Sequence, residues 1–114
     1  MTLLVYISNH RDSMTPILQT MADRDIHGAT TVDCEGMLQS LCVDSVEPPP
    51  IFYSLRQFLN PQHEPGKMLF VVLEDDQVDI AKRTIHEIAG SLEEPNSGIM
   101  FTIPVSSVEG VNLK

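Results

Sequence analysis

The chain has 114 residues, a formal net charge of −9 and 42% hydrophobic residues. This length predicts a single domain spanning residues 1–114, and the apolar fraction is that of a globular chain and not of a disordered one. The negative charge argues against a nucleic-acid partner, because phosphate backbones are held by clustered Lys and Arg. No apolar run approaches the roughly 20 residues of a membrane helix, and the first residues do not have the features of a signal peptide. We therefore expect a cytoplasmic protein with no membrane insertion.

The first part of the chain has a β-α-β pattern. Residues 2–8, TLLVYIS, are typical of a buried strand. Residues 13–28 then predict a helix that Asp12 or Ser13 can cap and that Gly28 is expected to stop. Residues 29–35 predict a second strand that ends at Gly36. The predicted buried side of the helix consists of apolar residues at helical spacing: Met14, Ile17, Leu18, Met21 and Ala22.

The last part of the chain repeats this pattern. Residues 67–73, KMLFVVL, predict a third strand, and residues 99–105 predict a fourth. Between them lies an amphipathic helix that Asp75 or Asp76 is expected to cap, with an apolar side made of Val78, Ala81, Ile85, Ile88 and Leu92. Two β-α-β units predict an α+β fold of ferredoxin-like βαββαβ type, a four-stranded antiparallel sheet with both helices on one face. The other face would need cover from another subunit, which favours an oligomer.

The connection between the second and third strands, residues 37–66, is unusually long and is here called the excursion. It starts with polar and acidic residues, contains the stiff spacer PPP at 48–50, and continues as IFYSLRQFLN at 51–60. The last of these stretches places apolar side chains on one side of a short helix that Asn60-Pro61 would end. We expect a partly ordered segment that docks on its own subunit or on a neighbour.

Four stretches together resemble the PII superfamily, the nitrogen regulatory protein PII-like group, with a closer similarity to a branch of small PII-like proteins of unassigned role. They are GATTVDCEGM (28–37), SLRQFLNP (54–61), the apolar strand before EDD (74–76), and GIMFTIPVSSVEGV (98–111). The resemblance covers nearly the whole chain, and it includes the excursion. It implies a homotrimer of ferredoxin-like subunits that binds adenine nucleotides in clefts between subunits and signals through a long loop to a protein partner. It implies a regulatory protein and not an enzyme.

The resemblance also implies site residues. Thr30, Gly36 and Met37 would form one wall of the cleft, Gly98 would lie in the loop that faces the phosphates, and Lys67 matches a basic position near the cleft. We also expect the last strand to return beside the base of the excursion, which would bring Gly98 and Gly110 to a shared edge. Contacts with a protein partner would come from three residues of the excursion: Tyr53, Arg56 and Phe58.

Three departures from the PII pattern bear on the ligand. Ile99 stands where typical PII proteins have a lysine, Leu38 replaces a glycine, and Gly110-Val111-Asn112 occupies the stretch with two arginines. Because contacts from Arg and Lys to phosphates are the strong ones, the sequence argues against an ATP site of the typical kind. An adenine nucleotide with less phosphate, or a smaller carboxylate or bicarbonate-like anion, fits the remaining residues.

Two other classes of function stay open. One is a divalent-metal binding or tolerance protein of CutA type, and the other is a trimeric scaffold that binds no ligand. Asp33, Cys34, Cys42 and His63 have donor atoms for zinc, but their spacing is not that of a structural zinc site. We therefore predict no metal site and free thiols. We also predict surface histidines and no catalytic residues, because no nucleophile and orienting acid accompany them at a recognisable spacing.

Overall fold

The computed structural model describes residues 1–9, 11–37, 66–90, 92 and 98–110. Short 3-10 turns, Arg11–Ser13 and Asp75–Gln77, precede the two helices. The predicted strand bounds agree with the structure to within one residue, whereas both helices end earlier than predicted. The elements in chain order are β1 (Thr2–Ser8), α1 (Met14–Asp23), β2 (Thr30–Cys34), β3 (Gly66–Leu73), α2 (Val78–Ala89) and β4 (Ile99–Pro104).

The strands form one sheet in the order β2-β3-β1-β4. Each neighbouring pair is antiparallel, with Leu4 opposite Val71 in β3 and opposite Thr102 in β4. This is the α+β, ferredoxin-like arrangement that the sequence predicts. The central strands β1 and β3 are the most apolar of the chain, as expected for strands with neighbours on both edges.

The core lies between the sheet and the two helices. Alternate residues of β1 and β3 point to the helices, and they are almost fully buried because α1 and α2 pack side by side over them. Both helices therefore cover the same face of the sheet, as predicted. The core contains Leu4, Tyr6, Met14, Ile17, Met21, Ile26, Leu69, Val71, Leu73, Ala81 and Ile85.

Helix α1 ends at Asp23, so the prediction that Gly28 stops it is wrong. Asp25 has a φ of 65°, in the left-handed region. The N–H of Asp25 donates to the carbonyl of Ala22 and that of Ile26 donates to Met21, which together form a Schellman motif. The buried side chains of Ile26 and Met21 supply the apolar contact that usually accompanies this motif.

The cap before α2 also differs from the prediction. The N–H of Glu74 donates to Oε1 of Gln77 at 3.0 Å, and the reciprocal bond from the N–H of Gln77 to the Glu74 side chain completes a capping box. Asp75 instead accepts a hydrogen bond from the Thr2 hydroxyl at 2.9 Å and lies 3.2 Å from the Met1 ammonium. These two contacts lower the pKa of Asp75, with the Thr2 hydrogen bond as the larger cause. Asp75 thus connects the start of β1 to the 3-10 turn that precedes α2.

The sheet face away from the helices, here called the open face, is apolar. Its residues alternate with those of the core and align across the strands, and no described element covers them. On the edge strand β4, the side chains of Ile99, Phe101 and Ile103 are 56%, 41% and 45% exposed. The face consists of three cross-strand rows: Val32, Met68, Ile7 and Ile99; Thr30, Phe70, Val5 and Phe101; and Val72, Leu3 and Ile103.

Candidate ligand site at one end of the sheet

The excursion leaves the sheet where β2 and β3 end their pairing, at Cys34 opposite Gly66. Gly36 and Met37 follow directly and are exposed, with 78% of Met37 accessible. Lys67 lies next to Gly66 on β3. We call the end of this strand pair, together with the residues that follow β2, the excursion base (residues 33–37 and 66–67). It includes Gly36, Met37 and Lys67.

Lys67 is already paired within this base. Its Nζ lies 2.8 Å from Oδ1 of Asp33, which is its cross-strand partner in the register of β2 and β3. The Lys67 side chain is 25% exposed and that of Asp33 is 55% exposed. Sequence reasoning considered Asp33 only as a metal donor and missed this pair. The sequence signal for this ion pair is the presence of opposite charges near the ends of two predicted strands. That signal identifies a pair only when the register of the two strands is known.

Two glycines approach the end of β1 from its two sides. A Cβ atom on Gly66 would lie 2.7 Å from the carbonyl oxygen of Ser8. Gly98 has a φ of +111°, and a Cβ atom there would collide with the carbonyl oxygen of Ile7. Both positions thus require glycine because of backbone packing alone. The sequence singled out Gly98 for its place in a ligand loop, and it gave no role to Gly66.

Gly98 lies at the same end of the sheet as the excursion base, separated by β1 from Gly66 and Lys67 and by β1 and β3 from the end of β2. It precedes β4, which pairs with β1, whereas the base belongs to β2 and β3. With β3 and β1 between them, β2 and β4 are about 14 Å apart at the usual strand spacing. The strand that Gly98 precedes and the strand that Gly36 follows are thus at opposite edges of the sheet.

The last strand was expected to return beside the excursion base, but β1 lies between β4 and the strands of the base. The strand returns along β1, where Ile99 pairs with Ile7 at one end and Pro104 pairs with Thr2 at the other. Beyond β4, the N–H of Val105 donates to the carbonyl of Met1 at 3.1 Å. Gly98 thus precedes the first residue of β4, whereas Gly110 comes after its last residue, so the two glycines are at opposite ends of the strand along the chain.

Thr30 is separated from the other expected site residues. It begins β2, pairs with Phe70 and belongs to the middle row of the open face. Cys34, at the other end of β2, is about 13 Å away at the usual rise of a strand. Ile99, which replaces the lysine of the PII pattern, also lies on the open face, so that position offers apolar surface to any neighbour.

The candidate metal donors and the thiol of the described residues can be compared with the predictions. Among them, no three His, Cys, Asp or Glu side chains come together as a metal ion requires. Cys34 is a free thiol, and its pKa is raised, first by burial and then by the charge of Asp33. His27 and His86 are exposed, as predicted. Several residues of the sequence interpretation lie outside the described part of the chain: His10, Cys42, Tyr53, Arg56, Phe58 and His63.

Comparisons with known proteins identify the fold. The crystal structure of Arabidopsis thaliana PII bound to citrate superposes with a TM-score of 0.65 and 21% sequence identity, covering 96% of this chain and 79% of that one. No protein-family profile and no curated protein sequence matches the chain. No helix in the described part of the chain is long and apolar enough to cross a membrane. The chain thus has the PII fold, and the resemblance inferred from the sequence is confirmed at the level of the fold.

Proposed function

We propose that this chain is a PII-like regulatory protein that senses a small molecule in clefts between subunits and signals through the excursion to a protein partner. The observation that carries this proposal is the position of Gly36, Met37 and Lys67 at the excursion base in a PII fold. A ligand held there would contact both strands from which the excursion leaves. The protein acts in the cytoplasm and by binding, not by catalysis.

The placement of the expected ligand residues supports a cleft between two copies of the chain. Gly36 follows β2 and Gly98 precedes β4 at the same end of the sheet, and these two edge strands are about 14 Å apart. A neighbouring subunit that brings its β4 edge to the β2 edge of the first would place both glycines against one ligand. The apolar open face supports the homotrimer that such an arrangement requires, because contiguous exposed apolar surface of this kind marks an interface.

The charges at the base favour a ligand with few negative charges. Lys67 is paired with Asp33, and Ile99 stands in place of the additional lysine of the PII pattern. A triphosphate would lack the cations that normally hold it. A small carboxylate or an adenine nucleotide with little phosphate fits better, and the citrate bound to the Arabidopsis protein supports the carboxylate.

Signalling would follow from a population shift. A ligand can favour one arrangement of a segment only through contacts that differ between its arrangements. Residues 36 and 37 lie at the start of the excursion and residues 66 and 67 at its end, so a ligand at the base would contact the chain on both sides of it. The partner surface, with Tyr53, Arg56 and Phe58, would change with the arrangement of the excursion.

A thermal-shift screen tests this function. The panel contains ATP, ADP, AMP, citrate, 2-oxoglutarate, bicarbonate and divalent metals, with Lys67→Gln as the matched variant. A ligand at 100 times its dissociation constant stabilises the native state by roughly 2.7 kcal/mol, or about 4 °C per kcal/mol for a domain of this size. We expect a carboxylate or a low-phosphate nucleotide to raise the melting temperature of the wild type and to have less effect on the variant.

The other outcomes of this screen separate the alternatives. A response confined to divalent metals would favour the metal-binding class. A flat response across the panel would favour the scaffold that binds no ligand. A shift that is the same in wild type and Lys67→Gln would place the ligand away from the excursion base.

A further inference from the structure

The ion pair between Lys67 and Asp33 places a carboxylate of the chain itself on the cation of the candidate ligand site. The two atoms are 2.8 Å apart, and the residues face each other one step from the point where β2 and β3 separate into the excursion. A carboxylate ligand seeking the Lys67 ammonium would need the position that Asp33 holds. The pair is therefore part of the chemistry of the site.

The exposure of the pair decides whether such an exchange is feasible. Asp33 is 55% exposed and Lys67 is 25% exposed, so water reaches the carboxylate readily. Ion pairs at such positions contribute little to stability, because the two charges are nearly as well solvated apart as together. The Asp33 carboxylate can thus leave the ammonium with little loss, and a ligand carboxylate can take its place. A deeply buried pair would not permit this.

We propose that Asp33 is an internal competitor that determines which anions bind at Lys67. The ligand class is a small carboxylate, which makes the same contact with the ammonium that the Asp33 carboxylate makes. A highly charged anion is disfavoured because the displaced Asp33 stays close by on β2 and repels each additional negative charge. This inference rests on the proposed function, because it assumes that the site at Lys67 binds an anion.

The exchange also connects ligand binding to the excursion. Asp33 belongs to β2, which leads into the excursion, and Lys67 belongs to β3, which receives the chain from it. The ion pair joins these two strands across the base, and a bound carboxylate replaces that link by a contact between Lys67 and the ligand. The Asp33 carboxylate, displaced from the ammonium, can then form other contacts.

The test is an NMR titration of the full chain with succinate, a small dicarboxylate, read at the backbone amides of residues 33 and 67. Asp33→Asn keeps the size of the side chain and removes its charge. We expect succinate to bind this variant about two- to fivefold more tightly than the wild type, which corresponds to ~0.4–1 kcal/mol and to the strength of an exposed ion pair. Asp23→Asn, at the exposed end of α1, is the control, since it also changes the formal net charge from −9 to −8. Its affinity should equal that of the wild type.

A double-mutant cycle with Lys67→Gln shows whether the gain depends on the ammonium. The gain should disappear in Asp33→Asn/Lys67→Gln, and the spectra should show that all variants keep the fold. The inference would be overturned if Asp33→Asn bound succinate no more tightly than the wild type or the Asp23→Asn control does. It would also be overturned if the gain in affinity persisted in the Lys67→Gln background. If one of these outcomes overturned the inference while the thermal-shift screen was positive, the proposed function would still stand. If Asp33→Asn gained affinity only in the presence of Lys67 and the screen of the wild type was flat, the inference would be supported and the proposed sensor function would not.

Discussion

Two polar side chains in the helix–sheet interface have different hydrogen-bonding situations. The Thr84 hydroxyl is fully buried, donates to the carbonyl of Ile80 at 2.8 Å and accepts from Nη1 of Arg24 at 2.8 Å. Arg24 also lies 2.8 Å from Glu87, so this network joins the end of α1 to α2. Tyr6 is equally buried, but its hydroxyl has no hydrogen-bond partner among the described residues. A buried hydroxyl without a partner costs about 1–3 kcal/mol of desolvation.

This difference predicts that Tyr6→Phe stabilises the protein. The ring stays in the core, while the unpaired hydroxyl is removed, so we expect the free energy of unfolding to rise by about 1 kcal/mol. Urea unfolding at a fixed protomer concentration measures it, because oligomer stability depends on concentration. Tyr6→Leu, which also removes the ring, should lower stability and serves as the control. A loss of stability in Tyr6→Phe would mean that the hydroxyl is hydrogen-bonded in solution, for example to a buried water.

At the scale of the elements, the backbone conformation at the end of α1 predicts how substitutions of Asp25 change the stability of the protein. Asp25 occupies the left-handed position of the Schellman motif, which glycine adopts without strain. Its carboxylate is 95% exposed and 3.9 Å from His27, a contact too weak and too solvated to oppose the change. Asp25→Gly should therefore raise the free energy of unfolding by about 0.5–1 kcal/mol, whereas Asp25→Ala should lower it by a similar amount. Equal stability of the two variants in urea unfolding would contradict the strain at this residue.

The elements also show which features could be predicted from sequence. Strands β1 and β3 are continuous apolar runs with clear ends, so their bounds followed from composition. The end of α1 did not, because a Schellman motif with Asp in place of Gly has no distinctive signal in the sequence. The contact between Asp33 and Lys67 depends on the register of two strands joined by the excursion, and local patterns do not determine it. Lys67 lies close to the end of β2, which Gly36 and Met37 follow, because the strand ends on the two sides of the long connection pair with each other.

At the scale of the whole molecule, charge and apolar surface have separate locations. The described acidic side chains lie largely at exposed positions on turns and helices, whereas the open face is apolar in all three rows apart from Thr30. A net charge of −9 keeps copies of the chain apart unless a specific apolar contact outweighs the repulsion. The open face supplies such a contact, and burying it in a homotrimer would remove Ile99, Phe101 and Ile103 from water.

The oligomeric state should therefore depend on the side chains of the open face, and not on those of β4 that lie on the other face of the sheet. Phe101→Glu places a charge in the middle row of this face, and we expect it to shift the protein from trimer towards monomer in sedimentation velocity. Thr102→Glu is the matched control, because it adds the same charge to the next residue of β4, whose side chain is also exposed but lies on the other face. It should remain a trimer. If the wild type is monomeric at micromolar concentrations, or if both variants dissociate equally, the open face is not the trimer interface and the cleft between subunits loses its support.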